Sequence, residues 1–188
     1  MSAPSITKAD DVVEYLVAQH ETIKKLFIET LDAPDADTQR AAFTKLRTLL
    51  AVHETAEEMI VHPRVRRKID GGAAVVGERL TEEHDSKVAL SEIENLEPGT
   101  AEFSKALIHL QAAVKEHAEH EETLEFPALR DGVSAGELAK LAEAVRLAER
   151  LAPTHPHPGV ELATLNFAVG PFVSMVDRAR DALGHVLR

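Results

Sequence analysis

The sequence predicts an all-α protein: an up-down-up-down four-helix bundle with an additional helical extension at its C-terminal end. Three observations point there. The 188 residues are 44% hydrophobic and 28% charged, with one Tyr, six Phe and no Trp, a composition suited to helices of Ala, Leu, Val, Glu and Lys and poor in the aromatic residues that sheets favour. Four long segments carry apolar residues at alternating steps of three and four, and short runs of Pro, Gly and Asp separate them. The first two segments are also repeated, at a fixed offset, in the second two.

Each element follows from local punctuation. Thr7 with Asp10 resembles a capping box that opens helix A, which the run Asp32-Ala33-Pro34-Asp35 ends. Helix B is expected from about Thr38 to His62, where Pro63 stops or bends it. Asp70-Gly71-Gly72 breaks the chain, helix C runs on to about Leu96, and Glu97-Pro98-Gly99 precedes helix D, Thr100 to Phe126. Beyond residue 130, Ser134 with Glu137 forms another capping box, and Leu138, Leu141, Val145 and Ala148 make an apolar stripe. A last helix is expected after Pro171, with Phe172, Val176, Ala179 and Leu183 on one side. The organisation is therefore a bundle over residues 1–130 and a helical extension over 131–188 packed upon it.

Several classes of function fall away. The formal charge of -11 opposes phosphate binding, and only Arg64, Arg66, Arg67 and Lys68 form a basic run, so no nucleic-acid partner is expected. With no cysteine in the chain, disulfides, thiolate nucleophiles, Fe–S clusters and thiolate zinc sites are excluded, as is an internal dithiol electron donor. No apolar stretch reaches the roughly 18 residues of a membrane span, and Met1 to Asp11 lack a signal-like core, so the expectation is a cytoplasmic protein with no membrane partner. The chain has no Ser-His-Asp order, P-loop or dinucleotide fingerprint.

The apolar seams carry the chemistry. Helix A presents Val13, Leu16, His20, Ile23 and Phe27, and helix B presents Phe43, Leu46, Leu50, His53, Glu57 and Ile60. Helix C offers Val76, Leu80, His84 and Val88, less cleanly because of Lys87 and Ser91. Helix D offers Phe103, Leu107, Leu110, Val114, His117, Glu121 and Leu124. Four imidazoles and two carboxylates thus replace core residues, one histidine per helix. Burying them is costly unless each is paired, hydrogen-bonded or bound to metal.

Spacing strengthens the case. His20 to His53 and His84 to His117 are both 33 residues, while His20 to His84, His53 to His117 and Glu57 to Glu121 are each 64. Leu16 and Leu80, Leu46 and Leu110, Glu58 and Glu122, and Pro63 and Pro127 share that offset. Two helical hairpins related by a pseudo-twofold axis are expected. A third H-x-x-x-E, His157 to Glu161, lies among Pro156, Pro158 and Gly159, which preclude a helical i,i+4 face.

One His on the first helix, H-x-x-x-E on the second, a His on the third and H-x-x-x-E on the fourth resemble the hemerythrin-like, or HHE cation-binding, domains, over residues 8 to about 130. The resemblance implies two iron ions, oxo-bridged, in the bundle core. Its metal ligands would be His20, His53, Glu57, His84, His117 and Glu121, with Glu57 and Glu121 bridging, His20 and His53 on one iron and His84 and His117 on the other. Nitrogen and oxygen donors without sulfur suit iron. The ferritin-type alternative needs Glu-x-x-His on two helices, and none of the ten histidines supplies it. A closed four-coordinate zinc site fits six ligands less well.

Oxygen-carrying hemerythrins have a fifth histidine one turn from the third-helix ligand, where this chain has Leu80 and Val88. The implied pair would keep one open position on each iron, which favours redox turnover of hydrogen peroxide or nitric oxide, in stress defence of catalase or peroxidase type, over reversible O2 storage. The small-molecule partners expected are therefore peroxide or diatomic ligands. The family's nitrosative-repair members resemble this ligand set but carry a cysteine-bearing segment that this chain lacks. An O2 carrier, or an iron or oxygen sensor with its output on the tail, is the alternative. Among other residues, His120, Glu54, Glu58 and Glu122 are expected beside the ligands, Tyr15 off the ligand face, and His62, His109 and His185 at the surface.

Overall fold

The computed structural model describes residues 11–151, and all its regular elements are helical. They are α1 (Val12–Leu31), α2 (Ala36–Ala56), a π-helical turn π1 (Glu57–Val61), α3 (His62–Lys68), α4 (Gly72–Ile93), α5 (Ala101–His120), a second π-helical turn π2 (Glu121–Glu125), α6 (Phe126–Gly132) and α7 (Ala135–Leu151). The chain runs without interruption from α2 through π1 into α3 and from α5 through π2 into α6, so α1, α2–α3, α4 and α5–α6 are the four rods of the bundle. Thr7, Asp10 and the expected helix after Pro171 lie outside the described residues.

Helix starts follow from side-chain caps. The Asp11 carboxylate accepts from Glu14 N–H at 2.9 Å, Asp35 from Thr38 N–H at 2.7 Å, Thr100 Oγ1 from Phe103 N–H at 3.2 Å and Ser134 Oγ from Glu137 N–H at 3.2 Å, each satisfying an amide that has no partner inside its helix. The break between α3 and α4 depends on two glycines. Gly71 has φ 73, a left-handed conformation that a Cβ penalises, and a Cβ on Gly72 would collide with the Val65 carbonyl.

The prolines do not end the second and fourth rods; they widen them. Pro63 and Pro127 lack an N–H, and each ring would strike the carbonyl four residues back. The preceding turn expands instead, so that His62 N–H and Phe126 N–H reach five residues back to the Glu57 and Glu121 carbonyls. One inserted residue rotates everything after it by about 100°. The expected core position of Leu124 is accordingly corrected: it is 59% exposed, while Glu125, Phe126 and Leu129 face inward. The same rotation turns His62, expected at the surface, into the interior at 3% exposure.

Two apolar cores result. One joins Ile23, Leu26 and Phe27 of α1 to Phe43, Leu46, Leu49 and Leu50 of α2, Leu90 and Ile93 of α4, and Phe103, Leu107, Leu110 and Val114 of α5. The other gathers Val13 and Leu16 of α1, Ile60, Val61 and Val65, Val76, Phe126 and Leu129 against Leu138, Leu141, Val145 and Ala148 of α7. The stripe read from the sequence on α7 is thus the face that packs on α1 and its neighbours. In the first core, Phe103 meets Phe43 edge-on with centroids 5.1 Å apart. Phe103→Ala is expected to cost about 3–5 kcal/mol, measured as a lowered denaturant midpoint; a change below about 1 kcal/mol would mean that this core is looser than described.

Candidate metal centre

Between the two cores lies a buried polar layer. His20 comes from α1, His53 from α2, Glu57 from π1, His117 from α5 and Glu121 from π2. Their side-chain exposures are 8% or less, and those of both glutamates are zero. Because α2 and α5 stay regular up to the π turns, His53–Glu57 and His117–Glu121 keep the i,i+4 face, with Nε2 to Oε2 distances of 3.3 and 3.5 Å. His20 Nε2 is 3.1 Å from His53 Nε2 and 3.3 Å from Glu121 Oε2.

Ligand-type atoms of these residues fall into two overlapping groups. His20, His53, Glu57 and Glu121 bring one atom each to within 4.8 Å of one another, and so do Glu57, Glu83, His117 and Glu121. Glu57 and Glu121 belong to both. The two glutamates therefore stand where carboxylates can reach two adjacent cation positions.

His84 belongs to neither group. The sequence stripe placed it inward, but α4 buries Val76, Arg79, Glu83, Ser86, Lys87, Leu90 and Ile93, leaves His84 half-buried and exposes Val88. That face is corrected by one residue. It was hard to see because four of its members are polar or charged, so apolar periodicity selects the neighbouring stripe. Glu83 is 1% exposed and is the repeat counterpart of Gln19, which is 2% exposed; α1 turns both Gln19 and His20 inward, whereas α4 turns in only the first of the corresponding pair.

The ring orientations are set from behind. His20 Nδ1 lies 2.8 Å from Glu122 Oε1, His53 Nδ1 2.7 Å from Gln19 Oε1 and His117 Nδ1 2.9 Å from Glu82 Oε2. With an oxygen acceptor at each Nδ1, the proton is held there and Nε2 is aimed into the layer, the arrangement that metal-binding histidines use. Gln19 is in turn held by Glu149 of α7 at 2.5 Å, which also accepts from Tyr15 O–H at 2.6 Å. Tyr15 accordingly stands off the ligand face, and α7 reaches the centre through Gln19. Phe126 stacks on the His20 ring at 5.8 Å.

A second polar layer backs Glu83. His62 Nε2 is 2.6 Å from Glu83 Oε1, His62 Nδ1 is 3.2 Å from Glu125 Oε1, and Lys87 Nζ bonds Glu58 while lying 3.9 Å from both Glu54 and Glu83. Of these groups, His62, Glu83, Lys87 and Glu125 escaped the sequence reading because their inward placement depends on π1, π2 and the rotated face of α4. Pro63 and Pro127, each six residues past a candidate glutamate, were the available signal.

The electrostatics leave a strong demand for positive charge. Burial opposes ionisation of Glu121, but the His117 and His20 cations outweigh it and hold that carboxyl down at about 2. Burial and the neighbouring Glu121 carboxylate push Glu57 well above the usual range. Burial works against the His117 cation too, yet Glu121 and Glu82 raise it to about 9, and Glu121 and Glu122 likewise raise His20. Burial, then the His20 cation, depress His53 to about 3. Both oxygens of Glu57, both oxygens of Glu121, Glu83 Oε2 and His117 Nε2 are buried and have no hydrogen-bond partner. Native interiors rarely tolerate such a group. Cations ligated at these atoms are what the donor set fits, and its nitrogen and carboxylate composition suits iron.

Binding there has to expel protons from His20, His117 and Glu57, so metal affinity is expected to rise with pH through neutrality towards about 9, by up to tenfold per pH unit for each proton released. In the metal-free fold His117 and Glu121 respond in opposite directions. The His117 contribution is complete below the ordinary value of 6.5 and is lost as pH rises through about 9. That of Glu121 is present above its ordinary 4.5 and is lost as pH falls through about 2. Titration calorimetry at several pH values checks the first statement; a flat affinity would contradict it.

A helical bundle whose buried layer offers shared carboxylates and imidazoles to adjacent cations defines the class of protein: a four-helix cation-binding domain. Residues 11–129 match the family model described as the hemerythrin HHE cation binding domain, and the chain belongs to that family. A hemerythrin-like protein of Schizosaccharomyces pombe is 22% identical over 178 residues, covering 94% of this chain and 88% of the relative. A DNA nickase of a Nostoc species is 25% identical over 139 residues, 74% of this chain, and the match spans only 39% of that protein. Among solved structures, a hemerythrin HHE cation binding domain-containing protein from Mycobacterium kansasii superposes with a TM-score of 0.67 at 17% identity, over 90% of this chain and 98% of the other. This last likeness concerns the fold.

Proposed function

We propose that the chain is a non-haem di-iron protein that turns over hydrogen peroxide or nitric oxide in the cytoplasm, with His20, His53, Glu57, Glu83, His117 and Glu121 as its iron ligands. The observation that carries this reading is the pair of four-residue groups sharing Glu57 and Glu121: two cations held there would lie side by side, where both could act on one small oxidant. Glu83 enters the proposed set in place of His84 because its carboxylate is the α4 group within reach of Glu57, His117 and Glu121.

Bound iron would supply redox capacity and Lewis acidity. The chain's own groups do the rest. His20, His53 and His117 present Nε2, while Glu122, Gln19 and Glu82 keep each ring from turning. Lys87 and His62 hold Glu83 in position and neutralise part of the local negative charge. The apolar cores on both sides keep bulk water out. Small oxidants have a route in: a cavity of about 290 Å³ touches His20, His53 and His117 from the α1–α5 side.

The test is addition of hydrogen peroxide, and separately of nitric oxide, to iron-loaded protein. Catalytic consumption of either, lost on Glu57→Ala, is the expected result. A stable, reversible O2 adduct with no turnover of either reagent would overturn the reading in favour of a carrier or sensor.

A further inference from the structure

The cavity beside the histidines is larger and more apolar than hydrogen peroxide requires. It is a slot between two helices: α1 contributes Ile23, Lys24 and Phe27, and α5 contributes Ile108, Gln111, Ala112 and Lys115. Leu50 of α2 and Val114 and Ala118 of α5 complete its apolar lining, and His20, His53, His117 and Glu54 give it a polar part. The slot is about 290 Å³, at the lower end of the range for sites that hold whole organic ligands. Liquid water occupies roughly 30 Å³ per molecule, so a substrate of two oxygen atoms would leave most of the slot empty or filled with water against apolar walls. The lining also includes Ile108, which is 53% exposed and from which a small polar substrate gains nothing.

We infer that the slot binds the alkyl chain of an organic hydroperoxide, its oxygens directed to the histidine end and its chain lying between Phe27, Leu50, Val114 and Ile108. The inference rests on the peroxide reading above and names the substrate class of that same site. Lys24 and Lys115 also line the slot, and their ammonium groups lie 2.8 Å from Glu21 and 3.4 Å from Glu119.

Binding can be read without turnover, using primary alcohols from butanol to dodecanol as unreactive stand-ins for the hydroperoxides. Calorimetry on the iron-loaded protein is expected to show Kd falling by up to about fourfold per added methylene, then levelling off once the slot is full. Ala112→Phe, at an exposed wall position, should abolish that dependence with the iron content unchanged, and Ile108→Asp should weaken it without narrowing the slot. A Kd independent of chain length, or one that neither substitution alters, would overturn the inference. These outcomes are separate from the peroxide reading, which stands or falls on consumption of hydrogen peroxide or nitric oxide by the unsubstituted protein.

Discussion

Replacing Glu57 or Glu121 by alanine is expected to lower the iron content from two per chain to one or none. Each carboxylate belongs to both ligand groups, so each substitution removes a donor from both cation positions at once, where loss of a terminal histidine affects one. Burial and the neighbouring Glu121 push Glu57 towards its neutral form, so the iron-free protein loses little when Glu57 is removed, whereas Glu121 also pairs with the His20 and His117 cations and its removal costs the iron-free fold as well. Glu57→Gln and Glu121→Gln separate the metal effect from simple cavity formation, since they keep the volume and remove the charge. They too should lose iron, with the metal-free melting temperature within a few degrees for Glu57→Gln and lowered for Glu121→Gln. Two irons retained in any of these variants would show that the glutamates are not shared ligands.

The second large effect is a contrast between adjacent residues. Glu83→Ala is expected to lose iron from the position that it shares with His117. It should also destabilise the metal-free fold by about 3–5 kcal/mol, because Lys87 and His62 are left buried without the carboxylate that faces them. His84→Ala should leave the iron content unchanged. Measuring both variants by metal analysis and denaturant unfolding also calibrates the fold of α4: if His84→Ala lost iron and Glu83→Gln kept it, α4 would have to present the face that apolar periodicity selects.

That contrast marks where the sequence was legible and where it was not. The seams of α1, α2 and α5 up to the glutamates are regular, so steps of three and four put His20, His53, Glu57, His117 and Glu121 on inward faces, and the offset of 64 residues ties the last two pairs together. The class of fold and the polar layer follow from those segments alone. Beyond each glutamate the period fails. The π turns answer Pro63 and Pro127 by adding a residue, which carries Leu124 out to solvent and His62 and Glu125 into the interior; a constant 3.6-residue period cannot represent that shift. On α4 the failure has a different cause. Its inward positions are occupied by Arg79, Glu83, Ser86 and Lys87; Arg79 meets His120 of α5, Glu83 meets His62 of α3 and Lys87 meets Glu58 of π1, and a pattern of buried charges becomes visible only once those partners are in place.

The functional geometry shares this dependence on partners. His53 is oriented by Gln19, and Gln19 by Glu149 on α7, so the helix beyond the matched residues 11–129 contributes to the centre itself. Its apolar stripe packs on α1 while its Glu149 carboxylate reaches the residue behind a ligand candidate. A helix read as cover in sequence thus acts as a brace in the structure.

The most direct test of the account is metal analysis of the iron-loaded chain together with its optical spectrum. Two irons per chain, with the near-ultraviolet bands of an oxo-bridged ferric pair, is the expected result. A single iron that saturates the site, or no iron bound at all, would contradict it and return Glu57 and Glu121 to a structural role.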